Sequence, residues 1–306
     1  MLFALLVLCS LGFAESDTLA LQIALDRRCY SCNTIDGVWG GKSERALTRY
    51  AAGRPRERAP AGPSEAYGRW FAGRGGLFRT VEVTAADLAA LVTIPDAPAA
   101  KAELAHMGYE SVPEMFAERG HLSRRAFERM NPGVDWAHVK PGLRVVIPDF
   151  PSVDELLAAG SRERTREPLD SEATLVRISL ERFEIEAFNA KGRLLAHFPC
   201  SIARDKAKIP QGELKIVTLV PNPNYTMKEE GTAPGARPRR HILPPGPNNP
   251  VGVAWMGLSA PGYGIHGTPR PESVGCAESH GCFRLANWNA ARLFSMVRIG
   301  TRVVVE

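Results

Sequence analysis

YGIHGTPRPESVGCAESHGCFRL, residues 263–285, sets a short strand-like piece, Gly264–Gly267, before a polar loop that ends in Gly281-Cys282. His266 precedes Cys282 by 16 positions, and Arg284 follows it by two. A cysteine nucleophile needs its thiolate, and an ordinary thiol titrates near 8.5. A neighbouring imidazole can take that proton and form an ion pair. Backbone N–H groups must also face the oxyanion that develops at the attacked carbonyl. A glycine before the cysteine frees the chain to turn and present them. Gly281-Cys282 meets that need, His266 at a neighbouring strand end can reach the sulfur, and Arg284 can hold a carboxylate bidentately. Taken singly, each residue has a plainer use, since a lone cysteine is most often a small core hydrophobe. A Gly-Cys flanked by Ser279, His280 and Arg284 makes a poor core segment.

Working outward, Ala173–Glu306 reads as mostly β. Thr174–Leu180 and Phe183–Asn189 alternate apolar and polar residues, and Lys191-Gly192 makes a turn. Leu194–Ser201 and Glu213–Val220 continue the meander. A Pro-, Gly- and Asn-rich loop runs from Pro221 to Pro250, and Val253–Ser259 resumes as strand. Asn287 is expected to cap one late helix, Trp288–Arg298, stopped by Gly300 before a terminal strand, Thr301–Val305. The expected fold is a mainly β catalytic domain, a β-sandwich or barrel with one late helix, plus small α-rich N-terminal modules.

Those modules lie in a chain of 306 residues with 44% apolar and 23% charged residues, ordinary for globular domains. The net charge of +5 gives a mildly basic surface without a dense Lys/Arg run. No nucleic-acid motif is present. Residues 1–14, MLFALLVLCSLGFA, form an apolar stretch shorter than a bilayer span, which takes about 20 residues. Gly12-Phe13-Ala14 supplies a small-x-small cleavage pattern, so 1–14 reads as a signal peptide, leaving no membrane segment after its removal. Five cysteines then remain, an odd count for an exported chain, so at least one thiol stays unpaired.

Residues 15–52 form the first module. Leu19, Leu21, Ile23 and Leu25 recur at helical spacing, Ile35–Gly41 is a turn-rich loop, and Ser43 is expected to cap a helix over Glu44–Tyr50. Residues 53–83 read as an Arg-, Pro- and Gly-rich linker whose aromatics suggest docking. In 84–150, Thr84 caps a short helix. Two more follow over Val112–Arg119 and Ser123–Met130, then a strand at Leu143–Ile147. Residues 151–172 are a charged helical connector to the domain at 173–306.

The stretch His266-Gly267-Thr268 … Ser279-His280-Gly281-Cys282-Phe283-Arg284 resembles the catalytic motif of the L,D-transpeptidase (YkuD-type) family. Ile209-Pro210-Gln211-Gly212-Glu213-Leu214-Lys215-Ile216 and Asn249-Pro250-Val251-Gly252 with Trp255-Met256 resemble two further family segments, in order. The resemblance covers about Thr174–Glu306. It implies Cys282 as acylated nucleophile and His266 as base, with the Gly267 carbonyl orienting its other nitrogen and the Gly281 and Cys282 amides as oxyanion hole. His280 is an electrostatic helper. Arg284 either binds substrate or braces the loop, and Tyr263 and Trp255 line the pocket. Such an enzyme cleaves the terminal D-Ala from a peptidoglycan tetrapeptide stem and passes the acyl group to an amine. Water as acceptor would make it an L,D-carboxypeptidase, and a decayed site would leave a wall-binding protein. The implied partners are stem peptides and glycan strands, and the implied location is the periplasm or cell wall. No cofactor is implied. No zinc site is expected either, because His266, His280, Cys276 and Cys282 lack a C-x-x-C or H-x-x-x-H pairing. Cys276 reads as unpaired and Cys200 as a core filler.

Leu21-Gln22 … Ile35-Asp36-Gly37-Val38-Trp39-Gly40 … Ala46-Leu47 resembles a small peptidoglycan-binding domain, and its Cys29/Cys32 pair is read first as a local disulfide, then as free thiols. Tyr109–Pro148, with Asn131-Pro132-Gly133 and Pro141-Gly142-Leu143, resembles a LysM-type glycan-binding module.

Overall fold

The computed structural model describes residues 13–53, 60, 62–70, 76–161, 168–205, 207, 209–229, 237–279 and 281–306. Residues 1–12 of the expected leader lie outside these, as does His280. Helix α1 (Phe13–Asp26) begins within the expected cleavage site. It is buried from Thr18 to Asp26, so the helix read from its spacing is a central one. Leu19 and Ile23 pack into one apolar cluster, and Leu21 and Leu25 into another. Its Gln22 side chain is satisfied inside. Gln22 donates to Asp36, Val38 and Ser43 and accepts from the amides of Asp36 and Gly37.

That arrangement corrects the expected cap at Ser43. Helix α2 (Gly41–Ala52) is capped at Gly40 and starts three residues earlier than expected, and the buried Ser43 hydroxyl serves Gln22. The expected linker also holds regular structure. Helix α3 (Pro63–Trp70) buries Ala66 and Trp70 against the first two helices, and Trp70 meets the ring of Tyr50 edge-on at 5.4 Å. Strand β1 (Phe78–Glu82) then pairs antiparallel with β2 (Arg144–Pro148), so the second module starts before residue 84. Between them lie α4 (Ala85–Ala89), α5 (Pro98–Ala102), α6 (Val112–Arg119) and α7 (Arg124–Met130). Thr84, Ser111 and Ser123 each accept a backbone N–H as N-caps, as their positions before apolar-periodic runs require. The connector helix α8 (Val153–Gly160) buries Leu156 and Leu157 in the main core. Residues 162–167 of the connector lie outside the described residues.

From Ala173 the chain forms a curled eight-stranded sheet with order β13-β11-β10-β7-β14-β3-β4-β5. Its members are β3 (Leu175–Ser179), β4 (Glu184–Phe188), β5 (Leu194–Pro199), β7 (Gly212–Pro221), β10 (Ala254–Leu258), β11 (Gly264–His266), β13 (Phe283–Arg284) and β14 (Arg302–Val305). The curl comes from β7, which changes partner along its length. Gly212–Lys215 pair with β14, and Ile216–Pro221 pair with β10. Two short ribbons complete the β structure: β6 (Ile202–Ala203) with β12 (Ala277–Ser279), and β8 (Tyr225–Glu229) with β9 (Arg239–Leu243). The stretch read as one loop from Pro221 to Pro250 therefore contains a hairpin. Helix α9 (Asn287–Met296) closes the core with Trp288, Leu293 and Phe294 buried. Its N-cap is Ala286. Asn287, expected there, lies inside the helix, with its amide engaged elsewhere.

The two cysteines of the C-x-x-C are free thiols, not a disulfide. Cys29 has φ +66° and turns into the core of the sheet, whereas Cys32 packs among the N-terminal helices. Burial raises both thiols, Cys29 to about 11.

Candidate active site

Parallel pairing of β11 with β13 sets Ile265 beside Phe283 and His266 beside Arg284. Ile265 and Phe283 are fully buried in the core. Alternation along each strand then turns Gly264, His266, Cys282 and Arg284 to the opposite face. That face opens into a cleft of about 460 Å³ lined by Trp255, Tyr263, His266, Gly281, Cys282 and Arg284, with Tyr225, Pro250, Val251, Pro261 and Gly262. A Cβ on Gly264 would lie 2.6 Å from the Trp255 indole, so only glycine lets that ring cover the strand.

His266 is 4% exposed. Its Nδ1–H donates to the Gly267 carbonyl at 2.6 Å, which leaves Nε2 as the lone-pair nitrogen. Burial pushes its pKa down to about 4, against a pull upward from the Gly267 bond and a further push down from the Arg284 charge. Burial also raises the Cys282 thiol, opposed by a backbone hydrogen bond from Gly264 and by the Arg284 guanidinium. The thiol points at the Gly262 carbonyl, 3.7 Å away. The resting pair is therefore a neutral thiol beside a neutral imidazole, where sequence reasoning allowed a standing ion pair.

Arg284 has both kinds of contact that its position suggested. Its backbone exchanges two 2.9 Å hydrogen bonds with Ser201, and its side chain lines the cleft. Ser201 had not stood out in the sequence. Its hydroxyl donates to Ser273 and accepts from the Gly275 amide, which ties the loop before the cysteine to the strand end. Cys276 donates to the Ser273 carbonyl at 2.8 Å, and Cys200 is fully buried in the core.

Residues 173–305 match the family model described as the L,D-transpeptidase catalytic domain, YkuD. The match takes in 133 of the 306 residues and makes that part of the chain similar to an L,D-transpeptidase catalytic domain. The Bacillus licheniformis protein YkuD, which carries the family's name, is 28% identical over 192 residues, 63% of this chain and 92% of that protein. Bacillus subtilis YqjB, likewise named for an L,D-transpeptidase, is 38% identical over 102 residues, 31% of this chain and about half (51%) of its own length. The solved catalytic domain of an E. faecium L,D-transpeptidase is 20% identical, covering 44% of this chain and 98% of that one, with a TM-score of 0.34.

The domain at 173–305 gathers seven of the eight expected site residues around one cleft, counting Gly267, which holds the His266 ring. The eighth, His280, lies outside the described residues. Pro250 and Val251 belong to the Asn249–Gly252 segment that had signalled the family. Tyr225 had no such signal, because its hairpin hides in a run of Pro, Gly and Asn. Away from the cleft, Glu184, Glu186 and His197 form a buried group with metal-ligand atoms within 4.8 Å of one another. Arg49 contacts both carboxylates and Arg182 contacts Glu184, so guanidinium charges already neutralise the pair. Among the described residues no helix is long and apolar enough to cross a membrane.

Proposed function

We propose that the domain transfers acyl groups through a thioester on Cys282, with a peptidoglycan tetrapeptide stem as donor. The observation that carries this reading is the shared cleft of Cys282, His266 and Arg284, with His266 Nδ1 committed to Gly267. The base must be a neutral imidazole whose Nε2 accepts the thiol proton as sulfur attacks, and burial keeps His266 neutral at physiological pH. The thiolate adds to the carbonyl of the L-to-D bond that joins the stem's diamino acid to D-Ala. The Gly281 and Cys282 amides stabilise the oxyanion, and D-Ala leaves with the proton held by His266. An amine from a second stem then attacks the thioester, forming a new amide and restoring the thiol. Arg284 supplies positive charge for the donor's terminal carboxylate. A substrate of this kind places the protein in the periplasm or cell wall, where residues 15–52 and 84–150 would hold it to glycan strands.

The test is intact mass spectrometry with a disaccharide-tetrapeptide, wild type beside Cys282→Ala. A dimer that has lost one D-Ala, absent with the variant, supports the transferase. Tripeptide alone reassigns the protein as a carboxypeptidase. Absence of both products and of any Cys282 adduct would overturn the reading.

A further inference from the structure

We infer that Glu118, on helix α6 of the module preceding the catalytic domain, is a positioning residue for His266 and acts through Asn287. The inference rests on His266 being the base of the proposed reaction.

The path is continuous. Glu118 is 8% exposed, and its Oε1 accepts from the Tyr109 hydroxyl at 3.1 Å and from Asn287 Nδ2 at 3.0 Å. Asn287 is fully buried, and its Nδ2 also donates to the Pro247 carbonyl at 3.0 Å. The Pro247 carbonyl can only accept, so it fixes which end of the amide is NH₂. The amide oxygen is thereby turned to the Val253 N–H, 3.3 Å away. It is also turned onto two glycines. A Cβ on Gly252 would lie 2.1 Å from Asn287 Oδ1, and one on Gly267 would lie 2.3 Å from it. The backbone of Gly267 is thus pressed against the Asn287 amide, and its carbonyl is the group that receives His266 Nδ1–H.

The same module grips the segment that leads to the cleft wall. Met107 donates its amide to the Pro245 carbonyl at 2.8 Å, and Asn248 Nδ2 donates to Gly108 and Glu114. Pro250 and Val251, two and three residues on, line the cleft. A glycan-binding appendage has no need of these contacts. They make the module part of the frame that sets the imidazole.

The consequence is for the tautomer. If the Gly267 carbonyl drifts, no other hydrogen bond among the described residues holds the proton on Nδ1, and a tautomer with Nε2–H cannot accept from Cys282. Misplacing a catalytic group by about 1 Å costs on the order of 10–100-fold in rate.

The experiment compares wild type, Glu118→Met and Glu118→Gln as full chains. Methionine keeps the volume but removes the acceptor, whereas the glutamine oxygen still accepts from Asn287. The first readout needs no substrate: the ¹⁵N shifts of the His266 ring, assigned by its loss in His266→Gln. The second is the rate of Cys282 acylation by the disaccharide-tetrapeptide. Expected are a single Nδ1–H tautomer in wild type, mixed tautomers with at least a tenfold slower acylation in Glu118→Met at unchanged KM, and return of both in Glu118→Gln. A folded Glu118→Met with wild-type tautomer and rate overturns the inference. Should Glu118→Met fail to fold, Asn287→Asp removes the same donor and is read in the same way. If wild type never acylates, the functional reading fails, while the ring shifts still decide whether Glu118 positions His266.

Discussion

The imidazole of His266 lies against the indole of Trp255, ring centroids 5.5 Å apart and planes 21° from parallel. The two residues are paired across β10 and β11, so the stack is built by strand register. The indole is part of the burial that keeps the imidazole neutral. Trp255→Leu is expected to lower the acylation rate about three- to tenfold. It also lets water reach His266, so the acidic limb of the pH–rate profile moves up from near 4 toward 6.5. An unmoved limb would mean that the stack does not set the ring's proton affinity.

A neutral resting pair makes a prediction about the thiol. Cys282 is raised by burial above its ordinary value of 9.0, so alkylation by iodoacetamide should be slow at pH 7 and climb as pH passes 9. Intact mass after timed quenching follows it. A rate already at its plateau by pH 7 would reveal a standing thiolate–imidazolium pair.

Acid should destabilise this protein through two histidines. His266 and His197 both fall from 6.5 to about 4 on burial. The unfolded chain therefore binds protons first, and stability is lost as pH falls from 6.5 through 4. Glu118 works in the opposite sense. Its carboxyl is raised from 4.5 to about 7 by burial, so its contribution is lost as pH rises from 4.5 through 7. Thermal melts should show His197→Gln flattening the acid limb, and Glu118→Gln raising Tm more at pH 8 than at pH 5. Equal gains at both pH values would contradict the Glu118 assignment.

Arg49 joins the N-terminal helices to the sheet, with Nη2 2.6 Å from Glu184 and Nε 3.0 Å from Glu186. Both glutamates are buried, so removing the guanidinium strands charge. Arg49→Ala should cost about 2–3 kcal/mol in urea unfolding, the part-exposed arginine and the remaining Arg182 contact softening the loss. A double change with Glu186→Gln should cost less than the sum of the singles.

Tyr225 reaches the cleft from the β8–β9 hairpin. If that hairpin forms the acceptor side, Tyr225→Ala should shift product from cross-linked dimer toward hydrolysed tripeptide. A dimer-to-tripeptide ratio equal to wild type would remove the hairpin from acceptor binding.

Residues whose role is local were legible in the sequence. Alternation placed β3 and β4, and the strand read over Glu213–Val220 matches β7, each within one residue. Gly281, Cys282 and His266 were singled out by chemistry and spacing, and all three line one cleft. The misreadings share a cause in long-range contacts. Ser43 and Asn287 were read as caps because such residues favour helix starts, yet each is claimed by a partner far away in sequence, Gln22 or Glu118. Cys29 and Cys32 are close along the chain but face different clusters. The β8–β9 hairpin was hidden because composition alone cannot distinguish a polar hairpin from a loop.

Strand β14 lies between β7 and β3, and it alone joins the half of the sheet that carries the cleft to the half made by β3, β4 and β5. Arg302–Val305 follow every other strand in the sequence. A ribosome making this chain in order thus delivers Cys282 before the segment that seals the sheet behind it. Until then the thiol belongs to an unfinished scaffold, with no settled place for the imidazole beside it. The order of synthesis acts as a delay, coupling completion of the cleft to arrival of four residues that lie outside its lining.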